Sequence, residues 1–157
     1  MKISTVSIEK LLGSYVPYQK DMIEIENIKN QFSQKVNEIR SEMESIANQS
    51  KLLVLDTSIE KKNQLRLREL QGEGMKLEAE FRMMISQKQE SILDKNFNEI
   101  SELINVWADN NNVDMVINSN SVLFSRKSLD VTEEISSMLK LKDLWSEIPE
   151  FNGSLGS

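Results

Sequence analysis

The 157 residues include no cysteine and no histidine. The first absence excludes disulfides, thiolate nucleophiles and zinc-thiolate sites, and leaves the compartment open because oxidising and reducing surroundings both tolerate such chains. The second removes the commonest general base and transition-metal ligand, leaving carboxylates, Lys, Tyr and Ser for any chemistry. No run of about 18 apolar residues occurs, and no charged n-region leads into an apolar h-region, so neither a membrane span nor a secretory signal is expected in this chain. There is no Gly-rich phosphate loop, triad or metal-ligand spacing, so neither a cofactor nor an enzyme is expected. Glycine (5) and proline (2) are scarce, while 39% of residues are hydrophobic and 28% charged. That mixture is too apolar and periodic for a disordered tail, yet lean for a compact core, which favours an elongated or oligomeric protein. The net charge of −6, from 19 Lys and Arg against 25 Asp and Glu, argues against a nucleic-acid partner.

What the chain does contain is helical periodicity. Pro17 suits the first turn of a helix, where its missing N–H costs nothing. From there Ile28, Phe32, Val36, Ile39, Met43, Ile46 and Leu53 recur three, four or seven apart and form one apolar stripe. The stripe breaks at "NQSKLLVLDTSIE", where a bend is expected near 48–58, and Thr57 with Glu60 fits a capping box that starts a second helix. Its apolar positions run from Leu70 through Leu77, Phe81, Ile85, Ile92 and Ile100 to Trp107. At roughly 50 residues and about 1.5 Å per residue it would reach about 75 Å, too long for a compact domain. Two such helices make an antiparallel hairpin. Gly72 and Gly74 lie inside the second, each costing roughly 1 kcal/mol against Ala, so "QGEG" is a place for bending or fraying, with tolerated surface glycines as the alternative.

Both chain ends read differently. "KISTVSI" suits a short strand; Ser7 can cap the helix "IEKLL", and Gly13 is placed to end it in a left-handed conformation. After "DNNN" stops the second long helix, "DMVIN", "SNS" and "VLFS" read as strand, turn and strand, a β-hairpin. Asp130 with Glu133, or Thr132 alone, can cap a short helix through Ile135, Met138 and Leu139. The expected fold is therefore α+β: a small β-sheet body from both ends (residues 1–16 and 108–142), a long α-helical hairpin arm (17–107) and a tail (143–157) ending in Gly/Ser-rich "GSLGS". A sheet of about three strands with one short helix is marginal alone and leaves edges that invite another chain. Ile3, Val6, Val116, Ile117, Val122 and Phe124 are the candidate association residues.

The opening "ISTVSIEKLL", the long helical hairpin and the segment "ILDKNFNEISELINVWADNNNVDMVINSNSVLFSRKSLDVTEEISSMLK" together resemble the OmpH/Skp-like family of periplasmic outer-membrane-protein chaperones, over residues 3–140. The resemblance implies a jellyfish-like homotrimer whose arms surround a cavity, and ATP-independent holdase activity on unfolded outer-membrane proteins in the periplasm. The acidic net charge departs from the family's well-known basic members, and the residues beyond Lys140 have no counterpart. A structural coiled-coil scaffold and a prefoldin-like cytosolic chaperone are the alternatives.

Residues 51–68 hold five cations (Lys51, Lys61, Lys62, Arg66, Arg68) against Asp56 and Glu60, a local +3. Such a tip would attract anionic client segments or a membrane surface, or would simply be solvated. Leu52, Leu53, Val54 and Leu55 are too contiguous for one stripe, so they either grip a client at the tip or pack across the bend. Met22, Met43, Met75, Met83 and Met84 supply adaptable side chains; Met43 and Met84 are expected in the core and Met83 at the client cavity. Glu78 with Glu80, and Glu42 with Glu44, are two apart on a helix and do not face each other, so they make no acid/base pair.

Overall fold

A computed structural model describes residues 1–52 and 57–146. The chain runs β1 (Ile3–Val6), α1 (Ile8–Ser14), α2 (Val16–Leu52), α3 (Thr57–Asn110), β2 (Met115–Asn118) and α4 (Thr132–Ser146), with single 3-10 turns at Ser119–Ser121 and Lys127–Leu129. It is mostly helical, with two long helices and a small two-stranded sheet built from the chain ends, the α+β class expected from sequence.

The local signals near the start act largely as read. Ser7 accepts a hydrogen bond from the Lys10 amide at 3.3 Å and so satisfies one free donor of α1. Pro17 is the second residue of α2, and α3 begins at Thr57. Gly13 does not terminate α1. It lies within the helix with no positive φ, and the chain leaves through Tyr15 in an extended conformation, so a backbone with φ of −82° does the work a left-handed glycine was expected to do. The left-handed residue is instead Asn112 (φ 52°), just past the end of α3, where its short polar side chain makes that conformation tolerable.

Residues 1–23 and 90–146 form one compact unit. Its core gathers Val6 from β1, Leu11 and Leu12 from α1, Tyr15, then Ile100, Ile104 and Trp107 from α3, and Ile135 and Leu139 from α4. β1 and β2 pair in parallel, Ile3 with Met115 through Val6 with Asn118. Parallel partners need a long crossover, and here it contains both long helices. A single bridge from Thr5 to Asp130 covers the other edge of β1, with the Val131 amide donating to the Thr5 carbonyl at 2.9 Å. Ser4, Thr5 and Val6 are accordingly all buried.

The expected β-hairpin does not form. Only Met115–Asn118 is strand, and the Asn118 side chain turns back to accept from the Asn120 amide, opening a 3-10 turn. Val122 is extended (φ −119°, ψ 126°), but among the described residues nothing pairs with "VLFS". Strand propensity cannot make a strand without a partner ladder. α4 also continues to Ser146, taking the first residues of the expected tail; residues from 147 onward lie outside the described ones.

The described residues among 24–89 form the second unit. Its two helical stretches pair in antiparallel sense: Phe32 stacks on Phe81 with ring centroids 3.9 Å apart, Lys88 pairs with Glu24, Arg66 with Glu42, and Asn63 donates to Ser50. Ile25, Ile46, Leu70 and Ile85 are buried. Met84, expected in the core, is 46% exposed because Ile85 takes the inward position beside it. Gly72 and Gly74 remain within the continuous α3.

Candidate functional surfaces

In the strand-bearing unit the outer edge of β2 meets no strand among the described residues, and a groove of about 670 Å³ lies beside it. Phe97, Ile104 and Ala108 of α3 and Val113, Met115 and Val116 of the β2 segment line it. Leu123 is fully exposed and Phe124 is 80% exposed. Among the expected association residues, Val116 reaches the groove, Phe124 stands free, and Ile3, Ile117 and Val122 are half-buried. Val6 also borders the groove but is only 1% exposed, packed in this chain's own core.

Hydrogen bonds tie the two chain ends together. The Lys2 amide donates to Asp114 at 2.6 Å, and the Asp114 amide returns a bond to the Lys2 carbonyl at 2.8 Å. The Ser7 amide donates to the Thr132 hydroxyl at 2.9 Å; Thr132 in turn donates through its own amide and hydroxyl to Asp130. Those two bonds, the hydroxyl's first, hold the Asp130 carboxyl below its ordinary value against a smaller opposing effect of burial. Tyr15 donates to Glu99 at 2.5 Å, and burial, then that bond, pushes its hydroxyl pKa up.

In the hairpin unit Leu52 is 83% and Met83 65% exposed, and Lys61 and Lys62 are exposed as well. Leu53 and Leu55 lie outside the described residues. Arg66 is not a free cation of the tip. It holds Glu42 at 2.9 Å, Glu69 at 3.3 Å and Glu73 at 3.5 Å, and the Glu42 hydrogen bond leads the effects that raise its pKa. Glu78 bonds Arg82 and Glu80 lies 3.9 Å from Lys76, so these carboxylates face cations and not each other.

Two features escaped sequence reasoning. One is a groove of about 550 Å³ lined by Phe32, Val36, Ile39, Met43, Leu70, Gly74 and Met75. Gly74 stands four residues after the buried Leu70, so the missing side chain falls on the inward face, and that spacing was the available signal. The other is Asn96, fully buried between Ile92 and Ile100, a polar residue at stripe spacing. The charge is also partitioned. Residues 24–89 carry 11 Lys and Arg against 11 Asp and Glu, and the rest of the sequence carries 8 against 14, so the whole −6 lies outside the hairpin stretch.

No group of three metal-binding side chains occurs among the described residues, and none of their helices is long and apolar enough to cross a membrane. Comparison with curated proteins finds no match. In fold the chain is similar to a crystal structure from Caulobacter crescentus described as an outer membrane chaperone (OmpH-like), with a TM-score of 0.78 at 10% identity over 89% of this chain and 84% of that one. The model of the family "Outer membrane protein (OmpH-like)" matches residues 2–139, so both strands, the long helices and the first half of α4 fall inside it, and the chain belongs to the OmpH-like family.

Proposed function

We propose that this protein is a chaperone of outer-membrane proteins: an ATP-independent holdase, working in the periplasm as a homotrimer, that shelters unfolded clients in a cavity between helical arms. Membership of the OmpH-like family across residues 2–139 carries the reading. The surfaces support it physically. Leu52, Leu65, Met75 and Met83 are exposed apolar side chains spread along the hairpin unit. Dispersed weak contacts of that kind hold an unfolded chain without fixing it in one pose, and flexible methionines adapt to any side chain they meet. The neutral hairpin unit adds no net repulsion toward acidic clients, so the chain's overall acidity does not oppose capture there. The open edge of β2 and the exposed Leu123 and Phe124 supply material for association between copies.

Dilution of a urea-unfolded outer-membrane protein into buffer, with and without this chain and without nucleotide, tests the proposal. Light scattering should stay low at one trimer per client. Unchanged aggregation would overturn the holdase reading and leave the structural scaffold.

A further inference from the structure

We propose that Asn96 is a register key: its bond to Asp21 holds α2 and α3 in the one alignment that lets β1 meet β2. Asn96 is 0% exposed, and its stripe neighbours Ile92 and Ile100 are both buried aliphatics. A leucine would suit such a position by size and polarity. Instead Nδ2 donates to Asp21 on α2 at 3.0 Å and to the Ile92 carbonyl on its own helix at 2.8 Å, while Oδ1 accepts from no described residue. A buried amide with an unmatched acceptor weakens the core it sits in. A weakening group at an apolar position is the mark of a residue that selects among alignments.

The alternatives are real because apolar stripes repeat. Two antiparallel helices with residues three and four apart can slide by one heptad, about 10 Å, and still set apolar rows against each other. A slide that puts Asn96 opposite Ile28 also puts Asp21 opposite Leu103, and breaks the bond between them, leaving Asn96 only the Ile92 carbonyl of its own helix. The native alignment is the one in which Asn96 reaches Asp21. What depends on it is the sheet. β1 precedes α2 by one short helix, and β2 follows α3 after four residues. Four paired positions between Ile3–Val6 and Met115–Asn118 cannot absorb a shift of a heptad. The key therefore sets which residues of the two chain ends face one another.

Because the chain has no cysteine, Lys20→Cys and Glu102→Cys place two spin labels on α2 and α3 with nothing else to modify. In full-length protein diluted with unlabelled chain, electron-electron resonance should give one distance for the parent. Asn96→Leu should add a second population displaced by up to about 10 Å. Asp21→Leu removes the same bond from the half-buried partner and carries the test should Asn96→Leu fail to fold. Asp21→Asn keeps an acceptor and should retain the single distance. A second population in either leucine variant supports the key. One native distance in every leucine variant that folds, or a second population in Asp21→Asn, overturns it.

Discussion

Oδ1 of Asp130 takes two bonds from Thr132, at 2.9 Å from the amide and 2.5 Å from the hydroxyl, while that hydroxyl accepts from Ser7 at 2.9 Å. One carboxylate thus sets the first turn of α4 and, through Thr132, the residue that caps α1. Asp130→Ala should cost about 1 kcal/mol, as lost caps do, and lower the melting temperature by about 2–4 °C in a chain of this length. The same carboxyl has a depressed folded pKa, so its contribution is fully present above its unfolded value near 4 and fades as pH falls through the folded value. Thermal melts at descending pH should show the parent losing stability below about pH 4, with the gap to Asp130→Ala closing over that window. Deeper in the same unit, Ile100 is fully buried. Ile100→Ala should cost about 2–5 kcal/mol in urea unfolding, against less than about 0.5 kcal/mol for a change at exposed Lys95.

At the scale of elements, α3 runs unbroken through Gly72 and Gly74, and a Cβ at either position would meet nothing within 4 Å. Gly72→Ala and Gly74→Ala should each add roughly 1 kcal/mol of helix stability, read as a higher melting temperature. If the arm's proposed work needs bending there, the double variant should also suppress client aggregation less well at equal concentration. Helix ends were legible in the sequence because caps act over three or four residues: Ser7, Pro17 and the Asn run were all read from neighbours alone. The β-hairpin was misread for the opposite reason. "VLFS" has strand composition, but a strand is defined by a partner, and β2 finds its partner at the other end of the chain. Gly13 was misread because an extended Tyr15 ends α1 without a left-handed residue. Arg66 looked like part of a basic tip because Glu42, 24 positions earlier, is a neighbour only once the hairpin forms. Asn96 was overlooked because a search for apolar recurrence passes over the one polar residue in the row.

For the whole molecule, self-association is the part of the proposed function most directly open to measurement. Phe124→Asp and Leu123→Asp place a charge on side chains that this chain leaves exposed, so neither should unfold it. Light scattering should report a trimer for the parent and a smaller mass for both variants; an unchanged mass would remove these residues from the interface. The charge partition makes a separate prediction. With residues 24–89 neutral and the −6 lying outside them, added salt should change client affinity only weakly, in contrast to capture driven by a charged surface. The parallel pairing also orders events in time. The strands' flanking partners Lys2 and Asp114 stand 112 positions apart, and closing a loop that long is slow compared with forming a helix. A growing or translocating chain exposes β1 first and must wait for almost everything else before its partner arrives. The sheet is thus a completion signal, closed only on a molecule whose long helices are already present in full.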